Sequence, residues 1–347
     1  MRVPTTRILW LAALLAALAF PFLTDNLYFL SIVITAFITA IAVYGLNVLV
    51  GETGQLSLAH AGFFGIGAYT AGILAVRFDL SFWLALPTAV AVTAFLGFLV
   101  GMVALRTRGD YFAIFTLGVG VVITGILDLW EGVTGGTDGL IGVPPPTRIG
   151  PLTFESLEAQ YYLYLFCLAL TILAVRNLSR SLVGRTLLAI RNDEHLAEAI
   201  GINVGRTKRL SFTISTSLAG FAGALYAPFL GYLGPSVSGL VMMFNMLLYL
   251  MIGGAASLAG PLVGTLLLMA ATQGLLAFEE YQLLILGPLL VLSIIFAPTG
   301  IAGLVNRIGQ RLSDRKTKPG PSAAPSSPSP KNRARPSHAP PHAEAGN

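Results

Sequence analysis

The stretch that decides the fold is residues 176–209, RNLSRSLVGRTLLAIRNDEHLAEAIGINVGRTKR, an arginine-rich polar segment between long apolar runs. After it, no Asp, Glu, Lys or Arg occurs from Leu210 to Phe278. Membrane-spanning helices need about 20 apolar residues to cross a bilayer, and uncharged runs of this length are typical of them. The contrast predicts a polar loop that is held outside the membrane by spans on both sides.

Within this loop, the pattern of residues 191–201 predicts a short amphipathic helix. Asn192 or Asp193 can cap its start, and Gly201 suits the left-handed position just past its end. The apolar residues fall at i, i+3 and i+4, which places them on one face. The residues assigned to this helix and its flanks are Arg191, Asn192, Asp193, Glu194, Leu196, Ala197, Glu198, Ala199, Ile200 and Gly201. A membrane protein that displays such a helix on a charged loop is typically presenting it to a soluble partner.

Composition sets the class of protein. The chain is 55% hydrophobic and 11% charged, against about 25% charged residues in a soluble domain, and its mean hydropathy is +0.77. Unbroken apolar runs, rather than alternating segments of about 10 residues, favour helices over a transmembrane barrel. The sequence therefore predicts an all-α, polytopic integral membrane protein with eight to ten transmembrane helices. Spans are expected near 8–23, 27–50, 57–76, 82–105, 111–128, 161–175, 211–232, 239–257, 259–278 and 281–297.

The basic residues give this map an orientation. If the 176–209 loop is cytoplasmic, alternation places all Lys and Arg on that side except Arg77 and Arg148. Orientation in the membrane follows the Lys and Arg of short loops, so both termini are expected to be cytoplasmic. The net charge of +5 then reflects topology and attraction to anionic lipid headgroups, and it does not indicate nucleic acid binding.

The two ends of the chain differ from the middle. Ala17-Leu18-Ala19 matches a small-x-small cleavage pattern, but the apolar run continues beyond Ala19, which favours an uncleaved first span. Residues 306–347 are rich in Pro, Ser and basic residues and cannot bury enough apolar area to fold. We expect a transmembrane domain at 1–305, which includes the cytoplasmic loop at 176–209, and a disordered, basic, Pro-rich cytoplasmic tail at 306–347.

Ionisable groups are rare in the expected spans, and this argues against several functions. Glu52 and Asp110 lie at span ends, and His60, in a Gly- and Ala-rich run, fits a structural hydrogen bond better than a proton relay. Ion-coupled carriers typically place ionisable residues within the membrane, so a facilitator or ion-coupled carrier is disfavoured. The sequence has no phosphate-binding loop, no clustered metal ligands and a single Cys167 in an apolar run. It predicts no catalytic, cofactor or metal residues, which leaves a membrane enzyme or structural subunit with little support.

Two Gly-rich segments indicate a translocation path. They are GETGQLSLAHAGFFGIGAY at 51–69 and GGAASLAGPLVG at 253–264. Broken or closely packed helices within a membrane are typical of transport pathways, although tight packing alone gives the same composition. The candidate path residues are Gly54, Gln55, Ser57, His60, Gly65, Gly253 and Gly254. The four spans in 27–128 and the four in 211–297 start on opposite sides, as in an inverted repeat.

These motifs resemble those of LivM-type permeases, which serve branched-chain amino acid importers of the ATP-binding cassette (ABC) class. The resemblance covers most of residues 27–303, although Ala59 stands where family members usually have Gly. It rests on both Gly-rich segments and on RGDYFAIFTLGVG at 108–120, TGGTDGL at 134–140, GRTLLAIRNDEHLAEAIGINV at 184–204, SLAGFAGALYAPFLG at 217–231 and PTGIAGL at 298–304.

The resemblance implies a mechanism and a set of partners. It implies a second homologous permease subunit, two cytoplasmic ATPase subunits, an extracytoplasmic amino-acid-binding protein and a location in the bacterial plasma (inner) membrane. Residues 191–201 would be the helix that couples ATPase motion to the permease, and this chain would hydrolyse no ATP itself. Relatives of the family also serve urea, short amides or other amino acids, so the substrate stays open between these and branched-chain amino acids.

Overall fold

The computed structural model describes residues 5–24, 26–107, 109–148, 150–151, 153–274 and 288. This part of the chain is helical except for turns, irregular connections such as 54–59 and 142–148, and one two-stranded ribbon. The helices are α1 Thr5–Leu23, α2 Leu27–Asn47, α3 His60–Phe78, α4 Phe82–Ala104, α5 Asp110–Leu129, α6 Glu131–Thr134, α7 Leu157–Arg180, α8 Leu182–Asn192, α9 Glu194–Ala199, α10 Val204–Leu230, α11 Leu240–Gly253 and α12 Gly260–Gly274. The strands are β1 Leu140–Ile141 and β2 Tyr232–Leu233, and 3-10 turns lie at Gly136–Asp138 and Pro235–Ser238.

Six of these helices are long and apolar enough to cross a membrane. They are α2 with its extension to Glu52, α3, α4, α5, α7 and α10, and three shorter apolar helices lie at Ala12–Leu23, Leu240–Gly253 and Gly260–Thr272. The predicted class, a polytopic helical membrane protein, is therefore confirmed. Helix α7 is longer at both ends than the predicted 161–175 span. The predicted span at 281–297 and the tail at 306–347 lie outside the described residues, apart from Pro288.

The sequence predicted a span at 57–76, but the helix of that span begins only at His60. Helix α2 continues as a π-helical turn over Val48–Glu52, and the chain then runs irregularly until α3 begins at His60. Gly54, at φ +72°, adopts a backbone conformation that other residues rarely take. From His60 the helix is continuous to Phe78. The irregular segment thus places the first Gly-rich motif at the end of a span, beside the loop at 176–209.

Helices α2, α3 and α10 form the centre, and glycines bring their backbones together. A Cβ added to Gly67 of α3 would lie 2.2 Å from the Gly220 carbonyl oxygen, and one added to Gly223 of α10 would lie 2.0 Å from the Phe64 carbonyl oxygen. Neither backbone can move aside without moving its whole helix. Small residues allow this close approach, which is how helices gain contact area within a membrane.

A short cap joins the two halves of the described chain at one end of the bundle. Strand β1 pairs with β2 in antiparallel fashion, with Leu140 opposite Leu233 and Ile141 opposite Tyr232. The Tyr69 hydroxyl of α3 donates to the Leu233 carbonyl at 3.0 Å, which fixes the ribbon to the central helices. The TGGTDGL motif forms the turns that lead into β1, and a side chain at Gly139 would collide with the Leu233 carbonyl oxygen at 2.3 Å.

Helix α11 is too short to cross the bilayer singly, and the structure describes 15 residues of α12, Gly260–Gly274. At 1.5 Å per residue, the 14 residues of α11 extend about 21 Å, against a hydrocarbon thickness of about 30 Å. The two helices pack directly on each other, since a Cβ on Gly253 would lie 2.0 Å from the Gly260 carbonyl oxygen. The Tyr44 hydroxyl of α2 donates to the Leu258 carbonyl at 2.7 Å, which ties the connecting loop to the centre. The expected inverted repeat stays a prediction.

Candidate coupling loop and substrate path

Side-chain caps divide the polar loop into two helices. The Ser181 hydroxyl accepts a hydrogen bond from the Gly184 amide at 3.3 Å and caps α8. Asp193 accepts from the Leu196 amide at 3.0 Å and caps α9. The sequence left Asn192 and Asp193 as alternative caps, and the structure selects Asp193. Arg191 and Asn192 therefore belong to the last turn of α8 and not to the short helix, because the chain at Asp193 is extended between the two helices.

The end of α9 has the predicted stop. Gly201 has φ +88°, in the left-handed region. Its amide donates to the Glu198 carbonyl at 3.0 Å, and the Ile202 amide donates to the Ala197 carbonyl at 3.0 Å. These two bonds satisfy carbonyls that the end of a helix would otherwise leave without partners.

The apolar residues of α9 divide between two surfaces. Ala197 is 2% exposed and faces the protein. Leu196 and Ile200 are 62% and 68% exposed, and Ala199 and Glu198 are also exposed. The predicted apolar face therefore points away from the chain, where it leaves two large aliphatic side chains uncovered by the described residues.

An ion pair anchors α9 to the central helix α10. The Lys208 ammonium lies 2.7 Å from a Glu194 carboxylate oxygen, and the exposed fractions of the two side chains are 7% and 27%. Lys208 lies in the second turn of α10. A displacement of α9 would therefore be transmitted directly to α10, which lies at the centre of the bundle.

A second contact joins the loop to the first Gly-rich segment. The Arg191 guanidinium donates to the Gly51 carbonyl at 2.5 Å. A Cβ on Gly54 would lie 3.1 Å from Cγ of Arg191, so the arginine side chain lies along this segment. The sequence grouped Arg191 with the short helix by position, whereas its contact is with the end of α2.

Asn47 joins the two Gly-rich segments to each other. Its side-chain oxygen accepts from the Ala256 amide at 2.8 Å, and its side-chain nitrogen lies 3.4 Å from the Ser257 carbonyl oxygen that accepts from it. Ala256 has φ +64°, which is uncommon for a residue other than glycine. Gly51 packs against both, because a Cβ there would lie 2.2 Å from the Asn47 side-chain oxygen and 2.5 Å from the Ala256 nitrogen. Sequence reasoning missed Asn47, although an amide in an otherwise apolar run was a usable signal.

The candidate path residues are dispersed over the bundle. Gly54 and Gln55 lie in the irregular segment, and a side-chain oxygen of Gln55 is buried without a hydrogen-bond partner. Ser57 is buried, and its hydroxyl lies 3.4 Å from the Ala59 amide. His60 is also buried. Its Nε2 donates to the Ala42 carbonyl at 2.8 Å, and its Nδ1 lies 3.4 Å from the Ser215 hydroxyl.

The glycines among these candidates lie at helix contacts. A Cβ on Gly65 would lie 2.5 Å from Cβ of Ser238, and Gly253 packs on α12. Gly254 ends α11 with φ +108°. None of the seven candidates lines the cavity between the end of α2 and the start of α8. Their place on a translocation path stays a prediction.

A cavity of about 260 Å³ lies beside the contact between Asn47 and the loop that joins α11 to α12. It is enclosed by the end of α2, the end of α7, the start of α8 and the loop between α11 and α12. Its lining residues are Asn47, Gly51, Glu52, Val175, Arg176, Ser179, Arg180, Gly184, Leu188, Ala256, Ser257 and Leu258.

A polytopic helical bundle with a polar loop anchored to its central helices defines a membrane transport permease. The chain belongs to the family described as "branched-chain amino acid transport system / permease component", whose profile matches residues 28–294. This confirms the resemblance found in the sequence. It also confirms that the chain is a transport component and not an enzyme.

Individual relatives agree with the family. The chain is 34% identical to the high-affinity branched-chain amino acid transport system permease protein LivM of Salmonella typhimurium LT2, over 84% of this chain and 73% of the relative. It is 35% identical to LivM of Escherichia coli K12, over 84% of this chain and 74% of the relative. It is 25% identical to the permease protein LivH of Salmonella typhimurium LT2, over 76% of this chain and 91% of that relative. No solved structure matches the chain.

Proposed function

We propose that this chain is one of two homologous permease subunits of an ABC importer and carries branched-chain amino acids inward across the bacterial inner membrane. Two cytoplasmic ATPase subunits supply the energy, and an extracytoplasmic binding protein delivers the amino acid. The observation that carries this proposal is the exposed apolar face of α9 on an anchored polar loop. The names of the LivM and LivH relatives support the substrate class and the pairing of two permeases.

The surface of α9 suits a soluble partner. Leu196 and Ile200 are more than half exposed, and Glu198 lies between them in sequence. Exposed aliphatic side chains with a polar rim are typical of protein interfaces. Because the loop carries many basic residues, we place it with both termini on the cytoplasmic side, where the ATPase subunits are.

Two contacts provide routes from α9 into the membrane part. The Glu194–Lys208 ion pair leads to α10, and the Arg191–Gly51 hydrogen bond leads to the end of α2. Both receiving helices lie at the centre of the bundle, where they pack on α3. Movement of the loop by closure of the ATPase dimer would therefore shift central helices and not the periphery.

An Ala199→Asp substitution tests the docking role of α9. Ala199 is exposed, so the chain should fold normally, whereas the complex would bury an unpaired charge at a cost of several kcal/mol. We expect loss of ATPase subunits in a pull-down and loss of ATP-dependent leucine uptake. Asn177→Asp, an exposed site near the end of α7, adds the same charge elsewhere and should change neither. Normal association with Ala199→Asp would remove the coupling assignment.

Orientation and energy source are tested separately. In a variant with Cys167 replaced by alanine, single cysteines at Arg185 and Ser327 should resist an impermeant thiol reagent in intact cells and react after lysis. Labelling of either in intact cells would contradict the topology. Reconstituted subunits should take up leucine only with ATP and binding protein, and uptake by this chain alone under a proton or sodium gradient would favour a secondary carrier. A competition panel with urea, acetamide and other amino acids would identify a different substrate class.

A further inference from the structure

The cavity between α2, α7, α8 and the 254–258 loop has a lining that the transport role does not explain. It lies at the end of the bundle that carries the polar loop, and one wall comes from α8 of that loop, through Gly184 and Leu188. The other walls come from the end of α7, from the π-helical end of α2 and from the loop between α11 and α12. A ligand in it would therefore contact both the coupling loop and the central helices.

Glu52 supplies negative charge to this cavity. One of its carboxylate oxygens accepts a hydrogen bond from the Ser179 hydroxyl. The other is buried and has no hydrogen-bond partner. Buried polar atoms in proteins are nearly always satisfied, and an unpaired carboxylate oxygen is costly. This oxygen can accept a further hydrogen bond, and a positively charged N–H donor forms the strongest hydrogen bond to a carboxylate.

Two arginines supply positive charge to the same lining. Arg176 and Arg180 lie one turn apart on α7, and neither forms an ion pair in the part of the chain that the structure describes. A guanidinium matches a carboxylate through two parallel hydrogen bonds. The remaining wall is apolar and consists of Val175, Leu188 and Leu258. The lining thus combines one carboxylate, two guanidinium groups and an aliphatic surface.

We propose that this cavity binds a zwitterionic α-amino acid with an aliphatic side chain, taken from the cytoplasmic side. Glu52 receives the ammonium group, Arg176 and Arg180 receive the carboxylate, and Leu188 and Leu258 contact the side chain. The volume, about 260 Å³, is near the lower limit of small-molecule pockets and suits a metabolite of this size. This inference rests on the proposed function, because it assigns the imported amino acid to a second, internal site.

Occupancy of this site would restrain transport. The bound amino acid would link α8 of the coupling loop to α2 and to the 254–258 loop, which reduces the movement of α8 relative to the spans. A ligand that binds one conformation better than another shifts the population towards it. Accumulated amino acid in the cytoplasm would thereby slow its own import.

Equilibrium binding of radiolabelled L-leucine tests the site directly. The full chain, with its second permease subunit, is placed in nanodiscs without binding protein. We expect saturable binding that L-leucine displaces, and that N-acetyl-L-leucine, 3-methylbutylamine and inorganic phosphate do not. Glu52→Gln and Arg176→Gln should each raise the Kd by about tenfold or more, since each removes a charged hydrogen-bond partner. Arg185→Gln, an exposed position on α8 that does not line the cavity, should leave the Kd unchanged.

Several results would overturn the proposal. Absence of saturable binding would do so, as would equal displacement by phosphate or N-acetyl-L-leucine, which would indicate an anion or lipid-headgroup site. Wild-type Kd values in both cavity variants would place the leucine elsewhere, for example on the translocation path. If a variant fails to insert, the displacement series on the wild-type protein still decides the ligand class.

Transport in proteoliposomes separates this inference from the proposed function. The measured quantity is the ratio of ATP-driven uptake with and without leucine on the ATPase side. We expect that ratio to fall in the wild type and in Arg185→Gln, and to stay near one in Glu52→Gln. Uptake that is indifferent to leucine on that side contradicts only the internal site. Absence of leucine uptake under every condition contradicts the proposed function.

Discussion

The central and peripheral helices of this bundle use similar apolar compositions in different ways. Protein buries 72%, 56% and 61% of the span windows in α2, α3 and α10, but only 22% of those in α4 and α5. The strongly apolar α4 and α5 are open to the surroundings, whereas the less apolar α3 and α10 are central. Helix α2 is both apolar and central. Hydropathy therefore identifies the spans, while small and polar residues identify the helices that pack together.

The largest expected effect compares glycines of the two regions. A Gly223→Ala substitution in α10 would place Cβ 2.0 Å from the Phe64 carbonyl oxygen, and we expect a loss of about 3 kcal/mol or more in stability. Gly118→Ala in α5 meets nothing within 4 Å and should gain up to about 1 kcal/mol from helix propensity. Thermal denaturation of both variants, followed by size-exclusion chromatography in detergent, measures the difference. Equal midpoints would contradict the division into centre and periphery.

Substitutions of polar side chains should also destabilise the protein more in the central helices than in the peripheral ones. Asn47→Leu removes both hydrogen bonds of a buried amide side chain, those to the Ala256 amide and to the Ser257 carbonyl, so we expect a loss of about 2–3 kcal/mol in stability. Thr88→Val in α4 removes only a hydroxyl that bonds to its own helix, at the Leu84 carbonyl. That control should be nearly neutral, and the two melting temperatures give the test. A tolerant Asn47 site would mean that the two Gly-rich segments hold together without it.

The coupling loop contains two carboxylates in different environments, Glu194 and Glu198. Glu194→Gln leaves the buried Lys208 ammonium without its anionic partner, and we expect about 2 kcal/mol of destabilisation, less than for a fully buried pair because Glu194 is partly exposed. Glu198 is exposed, and Glu198→Gln should cost almost nothing. Chemical denaturation, with Lys208→Met and the double variant, completes a double-mutant cycle. A coupling energy near zero would show that the pair does not anchor α9.

The smallest effect is expected at the end of α9. Gly201→Ala places alanine at φ +88°, and this left-handed conformation costs about 1 kcal/mol. No steric cost is added, because a Cβ at this position meets no other atom within 4 Å. Gly205, in the first turn of α10, has no such conformation, and Gly205→Ala should be neutral or slightly stabilising. Limited proteolysis of the loop compares the two. Faster cleavage in Gly205→Ala than in Gly201→Ala would reverse the assignment of the stop.

Features that depend on residues close together in the chain could be predicted from the sequence. The positions of six spans, the end of α9 at Gly201 and the class of protein followed from hydropathy, capping and motif content. The boundary between α8 and α9 was only partly predicted, because Asn192 and Asp193 are equally good caps by composition. The extended backbone at Asp193 selects Asp193 as the cap of α9. That backbone conformation depends on how α8 packs against Gly51 and the end of α7.

Contacts between distant segments could not be predicted. Asn47 bonds to a loop that follows it by some two hundred positions, and no local pattern encodes such a pairing. The candidate path residues were chosen because glycine and polar residues in a span mark special positions. In the structure Gly65 and Gly253 occupy helix contacts, which requires the same composition as a path, so composition alone cannot separate the two roles.

The ribbon between β1 and β2 imposes an order on biosynthesis. Strand β1 leaves the ribosome well before its partner, since Leu140 and Leu233 are about ninety residues apart. At translation rates of about 5–20 residues per second, this separation corresponds to a wait on the order of 5–20 s. During that interval the TGGTDGL turns have no strand to pair with, and Tyr69 has no Leu233 carbonyl as acceptor. Because β2 follows α10 along the chain, the cap can be completed only after α10 has been synthesised.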